Sequence, residues 1–221
     1  MAVEQTTTSK EKVLKKIRQA LIFKSKAKYA NIDLESNVYV KPEDTTIFET
    51  FARNFTSVQG QFVICDNKFD FIDKFLTLIE RKKLKSIYCW EDELQQQLKD
   101  SGITFHGKKD PAEKAMVSLT SCEALIARTG SVLVSSSKNS RELTIYPPIH
   151  VVVAYTSQVV MELKDGMQVL RNKYGKNLPS MLSFITGPSR SNDIDRVMVI
   201  GAHGPKELFV FLIDDTASSV S

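Results

Sequence analysis

Near the start of the chain, apolar residues recur every three or four positions in a lysine-rich background. Val13, Ile17, Ala20 and Leu21 share one side, which predicts an amphipathic helix over 9–23. Thr8-Ser-Lys-Glu11 in front of it is a capping box, in which Thr8 and Glu11 each satisfy the other's exposed backbone N–H. Residues 24–40 keep no period and read as a connector. Pro42 opens a second helix, with Ile47, Phe48, Phe51 and Phe55 on one face.

From Gly60 the rhythm changes to short apolar runs separated by helical stretches. Strands are expected at Phe62–Cys65, at Ile87–Trp90 and, more briefly, near Ile103–Phe105. Between them fall helices over 68–82 and 92–100, and Asp110-Pro111 starts another that runs to about residue 118. This alternation predicts an α/β fold, a parallel sheet with helices on both faces. In the second half, Ala124–Ala127 and Ser131–Val134 flank Arg-Thr-Gly as paired strands around a tight turn or bulge. Ile149–Ala154, after Pro147-Pro148, is the most buried-looking strand, and a helix over 158–174 follows it. Leu182–Thr186, Val197–Ile200 and Leu208–Ile213 complete the sheet. The expected organisation is a helical extension over 1–58 packed on an α/β domain over 59–213, with a loose tail over 214–221.

Composition narrows the class. With 221 residues, 42% hydrophobic and 25% charged, the chain suits one ordinary globular domain with a full core. No apolar run approaches the roughly 20 residues of a membrane helix. The first residues, MAVEQTTTSKEK, lack the apolar stretch of a secretory signal, so a cytoplasmic location without a membrane span is expected. Cys65, Cys89 and Cys122 are scattered and read as reduced thiols; no spacing among them suits zinc or an iron–sulfur cluster. The net charge of +4 is uneven: residues 1–30 hold eight basic and two acidic side chains, the remainder 22 and 24. The basic character belongs to the leading helix, which is either a solvated face or a dock for an acidic partner protein. Basic residues here are not interleaved with aromatics, so no nucleic-acid partner is expected.

Candidate chemistry gathers at four places. In Thr186-Gly-Pro-Ser-Arg-Ser-Asn-Asp193, Ser189 or Ser191 caps a short helix, and free N–H groups with the Arg190 guanidinium make a cradle for a carboxylate or phosphate. The plainer account is a capped turn in which Asp193 pairs with Arg190. In Gly201-Ala-His-Gly-Pro205, His203 can serve as an acid or base and the turn that includes Gly204 allows close approach to a ligand; alternatively a backbone carbonyl satisfies it. Arg128-Thr129-Gly130-Ser131 is an anion-binding concavity, closed by Lys138, Asn139 and Arg141, or simply a polar hairpin. In Tyr146-Pro-Pro-Ile-His150, His150 points either into a crevice or into the core. Nucleophile-elbow, dinucleotide and P-loop patterns are absent.

In this order, the four segments resemble the LUD domain of the lactate-utilisation protein C family. The resemblance rests on Thr129-Gly130-Ser131, Pro147-Pro148-Ile149-His150, Gly187-Pro188-Ser189-Arg190-Ser191-Asn192-Asp193-Ile194 and Gly201-Ala202-His203-Gly204-Pro205, and covers roughly residues 60–213. One departure stands out, Arg128 where the family commonly has an acid. The resemblance implies a three-layer α/β/α sandwich with a mostly parallel sheet, similar to the NagB/RpiA/CoA-transferase-like fold. It also implies a bacterial system that oxidises L-lactate to pyruvate beside cysteine-rich iron–sulfur partners, this chain being the component without clusters or other cofactors. His203 or His150 would then take a proton from a 2-hydroxy acid whose carboxylate Arg190 fixes, in a pocket lined by Thr129, Gly130, Ser131, Ser189, Ser191, Asp193 and Gly204.

Two other functions fit the same residues. A stand-alone transferase or ligase using acyl-CoA or a folate-like substrate would need a carboxylate nucleophile, for which Glu123, Glu142 and Glu207 are available. A regulatory or binding module would dock through Lys12, Lys15, Lys16 and Arg18.

Overall fold

A computed structural model describes residues 8–22, 46–137, 141–191 and 199–215. The chain divides into two compact units, Met1–Lys41 and Pro42–Ser221. In the first, helix α1 (Ser9–Ile22) starts at the expected capping box: Glu11 Oε2 accepts from the Thr8 N–H at 2.8 Å. None of its residues is buried, and Val13, Ile17 and Leu21 stay 50–64% exposed.

The second unit opens its described part with α2 (Ile47–Ser57), capped by a Thr46–Glu49 box. Pro42, the expected start, lies outside the described residues. Phe51 and Phe55 are fully buried and stacked at 5.2 Å, so α2 is part of the core of this unit. The body therefore begins before residue 59.

A five-stranded parallel sheet forms the centre, built from β1 (Gln61–Cys65), β2 (Ile87–Tyr88), β3 (Val117–Ser121), β6 (Ile149–Tyr155) and β11 (Glu207–Ile213). The order across it is β1-β11-β6-β3-β2. One face takes α3 (Lys68–Lys82) and α4 (Asp92–Asp100), whose Phe71, Phe75, Leu94 and Leu98 pack on Leu119, Val151, Val153 and Phe211. The other face carries Val152, Ala154, Val210 and Leu212. It packs against α2 and a second, four-stranded sheet. That sheet contains β4 (Ala124–Ile126), β5 (Ser131–Ser135), β7 (Val159–Val160) and β8 (Leu182–Ile185), in the order β7-β4-β5-β8. Helix α6 (Leu163–Tyr174) covers its outer side through Leu170. The α/β class with a mostly parallel central sheet agrees with the sequence; the layer opposite α3 and α4 is built around strands.

Among the described residues β1 is an edge strand, paired on one side only, with β11. The Lys74 ammonium donates to the Ile64 carbonyl at 2.7 Å and blunts that edge.

Several local differences from the expected elements come from tertiary pairing and burial overriding local pattern. The helix expected over 110–118 is a single 3-10 turn at Ala112–Lys114, followed by β3. Val117-Ser-Leu-Thr-Ser121 carries hydroxyls at alternate positions and so hides a strand that is buried on both sides. The helix expected from 158 begins at Leu163, because Val159 and Val160 pair with β4. Near Phe105 only a bridge forms, between Tyr88 and His106. Val199–Ile200 (β10) pairs with Arg190–Ser191 (β9) in a small exposed ribbon outside the main sheet.

Candidate functional site

Helix α2 sets the position of the Arg128–Ser131 turn. Its Asn54 amide donates to the carbonyls of Ala127 and Arg128 at 2.8 and 3.0 Å. Gly130 has φ +60°, and a Cβ there would lie 2.4 Å from the Phe55 nitrogen, so only glycine lets helix and turn meet. Arg128 is held by Glu162, its Nε donating to Oε1 at 2.7 Å. The acid missing from position 128 thus has a spatial counterpart at the start of α6, and the pair leaves the turn near neutral. Neither Asn54 nor Glu162 stood out in the sequence; a polar residue on an otherwise apolar helix face is the one signal Asn54 offered.

The turn meets the end of β8 through a line of hydroxyls. Thr129 Oγ1 and Ser131 Oγ are 2.7 Å apart, and Ser131 Oγ and Thr186 Oγ1 also 2.7 Å. Ser131 is buried, while Thr129 and Thr186 are exposed. Gly187 follows at φ +77°, and a Cβ there would stand 2.2 Å from the Val58 carbonyl oxygen. The exposed Arg190 donates through Nη2 to that same carbonyl. The backbone between α2 and β1 therefore anchors both features.

The second glycine-proline turn packs on the first. The Ser189 N–H donates to the Pro205 carbonyl and the Gly201 N–H to the Ser189 carbonyl, each at 2.9 Å. A Cβ on Gly204 would lie 2.9 Å from that of Ser189. His203 is exposed within this turn, and Ser191 lies in the ribbon beside it. The Lys206 N–H then donates to the Pro148 carbonyl at 2.8 Å, tying in the entry to β6. Four segments scattered over the sequence thus share one surface at the amino ends of β6 and β11. It carries a guanidinium, several hydroxyls and an imidazole, a set able to bind a small anion and take a proton from it. Asp193, Lys138 and Asn139 lie outside the described residues.

His150 takes the core orientation. It is fully buried on β6, with Nε2 2.8 Å from the Thr120 hydroxyl. Burial pushes its pKa down to about 4, so the ring is neutral near pH 7.

Two of the three carboxylates named for a transferase are held in hydrogen-bonded ion pairs, and Glu142 is exposed on α5 (Arg141–Ile145). Glu123 accepts from Ser135 at 2.6 Å and from Tyr174 and Lys173 at 2.7 Å. Burial would raise its pKa, but the bonds from Lys173, Ser135 and Tyr174 outweigh this and hold it below the ordinary range. Glu207 accepts from Lys82 and Gln61 at 2.8 Å. Burial raises the thiol pKa of Cys65 to about 11 and that of Cys89 to about 12, so both stay protonated. Among the described residues no group of three His, Cys, Asp or Glu side chains is placed to hold a metal, and no helix is long and apolar enough to cross a membrane.

Residues 106–213 match the family model of the LUD domain. Just under half of this chain is thus similar to LUD domains. Lactate utilization protein C of Bacillus subtilis (strain 168) is 33% identical over 107 residues, 47% of this chain and 45% of that protein. Its counterpart in Bacillus velezensis is 26% identical over 153 residues, 68% of this chain and 60% of the relative. That of Shouchella clausii is 29% identical over 145 residues, 59% and 63% respectively. The chain thus spans about half the length of the first of these relatives and about three-fifths of the other two. A DUF162 family protein from Deinococcus radiodurans has the same fold, with TM-score 0.59 at 16% identity over 76% of this chain and 96% of that one. The LUD match begins at His106, so α2, β1, α3, β2 and α4 precede it. Even so, β1 and β2 form the two edges of the central sheet.

Proposed function

We propose that this chain is the cluster-free component of a bacterial system oxidising L-lactate to pyruvate, and that it holds a small carboxylate between its two glycine-proline turns. The observation that carries this reading is the junction of the Thr129–Ser131, Thr186–Ser191 and Gly201–Pro205 turns. The similarity to relatives named lactate utilization protein C supports lactate as the carboxylate. In this reading Arg190 fixes the carboxylate, with Thr129, Ser131, Ser189 and Ser191 completing the cradle. Gly130 and Gly204 let the backbone come close, and Asp193 belongs to the same segment. His203 accepts the hydroxyl proton; the Cα–H bond breaks as the carbonyl forms, its proton and the two electrons passing to acceptors on the cysteine-rich iron–sulfur partners in the cytoplasm.

A tagged pull-down from lactate-grown host cells, with lactate-dependent dye reduction measured on the eluate, tests this. Activity with cysteine-rich partners, lost in His203→Ala and Arg190→Ala, is the expected result. A chain recovered alone, or unchanged oxidation by both variants, overturns it.

One observation favours a second reading, a docking module. Helix α1 exposes an apolar row beside Lys12, Lys15, Lys16 and Arg18. Salt-sensitive partner binding that disappears on deletion of residues 1–30 is expected there; binding that survives the deletion rules it out.

A further inference from the structure

Three buried polar atoms on the central sheet find no hydrogen-bond partner among the described residues: Trp90 Nε1, Ser118 Oγ and His150 Nδ1. They belong to one patch. The parallel register sets Tyr88 against Ser118 and Ser118 against His150, so these side chains stand in a row on the same face of β2, β3 and β6. Thr120, two residues beyond Ser118, shares that face and holds His150 Nε2. Trp90, two residues beyond Tyr88, packs with it beneath Ala112, Ala115 and Leu143 of helix α5 (Arg141–Ile145). Ser118 and His150 are 0% exposed and Trp90 9%.

A buried donor without a partner destabilises a fold, and apolar residues of similar size would fill these places without that penalty. Three such atoms together mark a place suited to an acceptor. All three groups are able to donate. The indole N–H donates only, and the serine hydroxyl can donate. In the tautomer whose Nε2 accepts from the Thr120 hydroxyl, the neutral imidazole carries its proton on Nδ1. An acceptor-only group matches this set, and the small covering residues Ala112 and Ala115 favour a compact one.

Trp90 also walls an open cavity of about 400 Å³, together with Gln95, Gly107, Lys108 and Lys109. Asp92 and Asp110 complete that lining, so its two ammonium groups are matched by two carboxylates, one of which accepts from the Gly107 N–H at 3.1 Å.

We propose that Trp90, Ser118 and His150 are the donors of an enclosed site for a small carboxylate, entered from the Lys108–Lys109 cavity past the Trp90 indole. This goes beyond the reading above and uses neither Arg190 nor His203.

Trp90 is the chain's one tryptophan, so the intrinsic fluorescence of the full chain reports on this site. The chain is titrated with acetate, L-lactate and inorganic phosphate. A saturable change with the carboxylates and none with phosphate is expected, retained in Arg190→Ala. Ser118→Ala should weaken the response roughly tenfold while raising the melting temperature of the ligand-free protein, because it removes an unpartnered hydroxyl. Where the alanine variant does not fold, Ser118→Cys, slightly larger than serine and a weaker donor, moves affinity the same way. No saturable response to either carboxylate, an equal response in the Ser118 variant, or a preference for phosphate overturns the proposal. So does loss of the response in Arg190→Ala, which would put the ligand at the turns. A crystal structure of the carboxylate-saturated protein with only water on the three atoms overturns it as well.

Discussion

The glycine-proline turns and the patch beneath α5 are both polar, but they satisfy their polar groups differently. At the turns, hydroxyls pair with one another, the Arg190 guanidinium takes the Val58 carbonyl, and backbone groups of the two loops bond to each other. Water reaches Thr129, Thr186 and His203, so any group left over there is solvated at little cost. In the patch, Ser118 and His150 are fully buried, and one atom of each lacks a partner among the described residues. A surface site can be polar at almost no cost to the fold. A buried one carries a penalty that a bound group would relieve, which makes it the more informative of the two.

The contrast can be broken most forcefully at Gly130. Gly130→Val adds a side chain at φ +60° against the Phe55 and Asn54 backbone, so α2 must leave the turn. We expect a loss of about 3 kcal/mol or more in chemical denaturation, with the hydroxyl line and any ligand binding at the turns lost together. A loss below about 1 kcal/mol would mean that α2 does not hold the turn.

His150 sharpens the other side. Its folded pKa, about 4, lies below the unfolded value of about 6.5. The unfolded chain therefore binds a proton in this range that the folded chain refuses. The associated stability is fully present above pH 6.5 and is lost as the pH falls towards 4, about 3 kcal/mol in all. Denaturation of wild type and His150→Gln from pH 7.5 to 4.5 measures it; parallel curves would show that the ring is not buried neutral.

Smaller effects separate packing from function. Thr46→Ala removes the α2 cap and should cost about 1 kcal/mol by thermal melting, without altering ligand response at either site. Arg190→Ala removes one exposed bond to Val58 and should change stability by less than about 1 kcal/mol. A large destabilisation would make Arg190 a structural clamp for the turns instead of a ligand group.

Much of the second unit could be read from residue pattern alone. Helix α3 covers the same span as its apolar period, and β6 and β11 differ from the expected strands by a residue at one end. The motif turns were visible because glycine, proline, serine and histidine cluster there in sequence. Ser118, Thr120 and Trp90 were not, because a hydroxyl in a strand and an aromatic after one look ordinary until registered neighbours are known. Strand β3 itself was hidden for the same reason, since its polar positions face a buried patch instead of solvent.

Local chemistry, then, determined by itself the α/β class, most element positions and the segments around Thr129, Arg190 and His203. These arise from periodicity, backbone dihedral preference and hydrogen-bonding capacity, all properties of neighbouring residues. Only the tertiary structure decided that Glu162 answers Arg128, that Glu123 and Glu207 are committed to ion pairs, and that His150 faces the core with Ser118 beside it. Each of these joins residues 30 or more positions apart, and strand register and burial, not sequence spacing, bring such residues into contact.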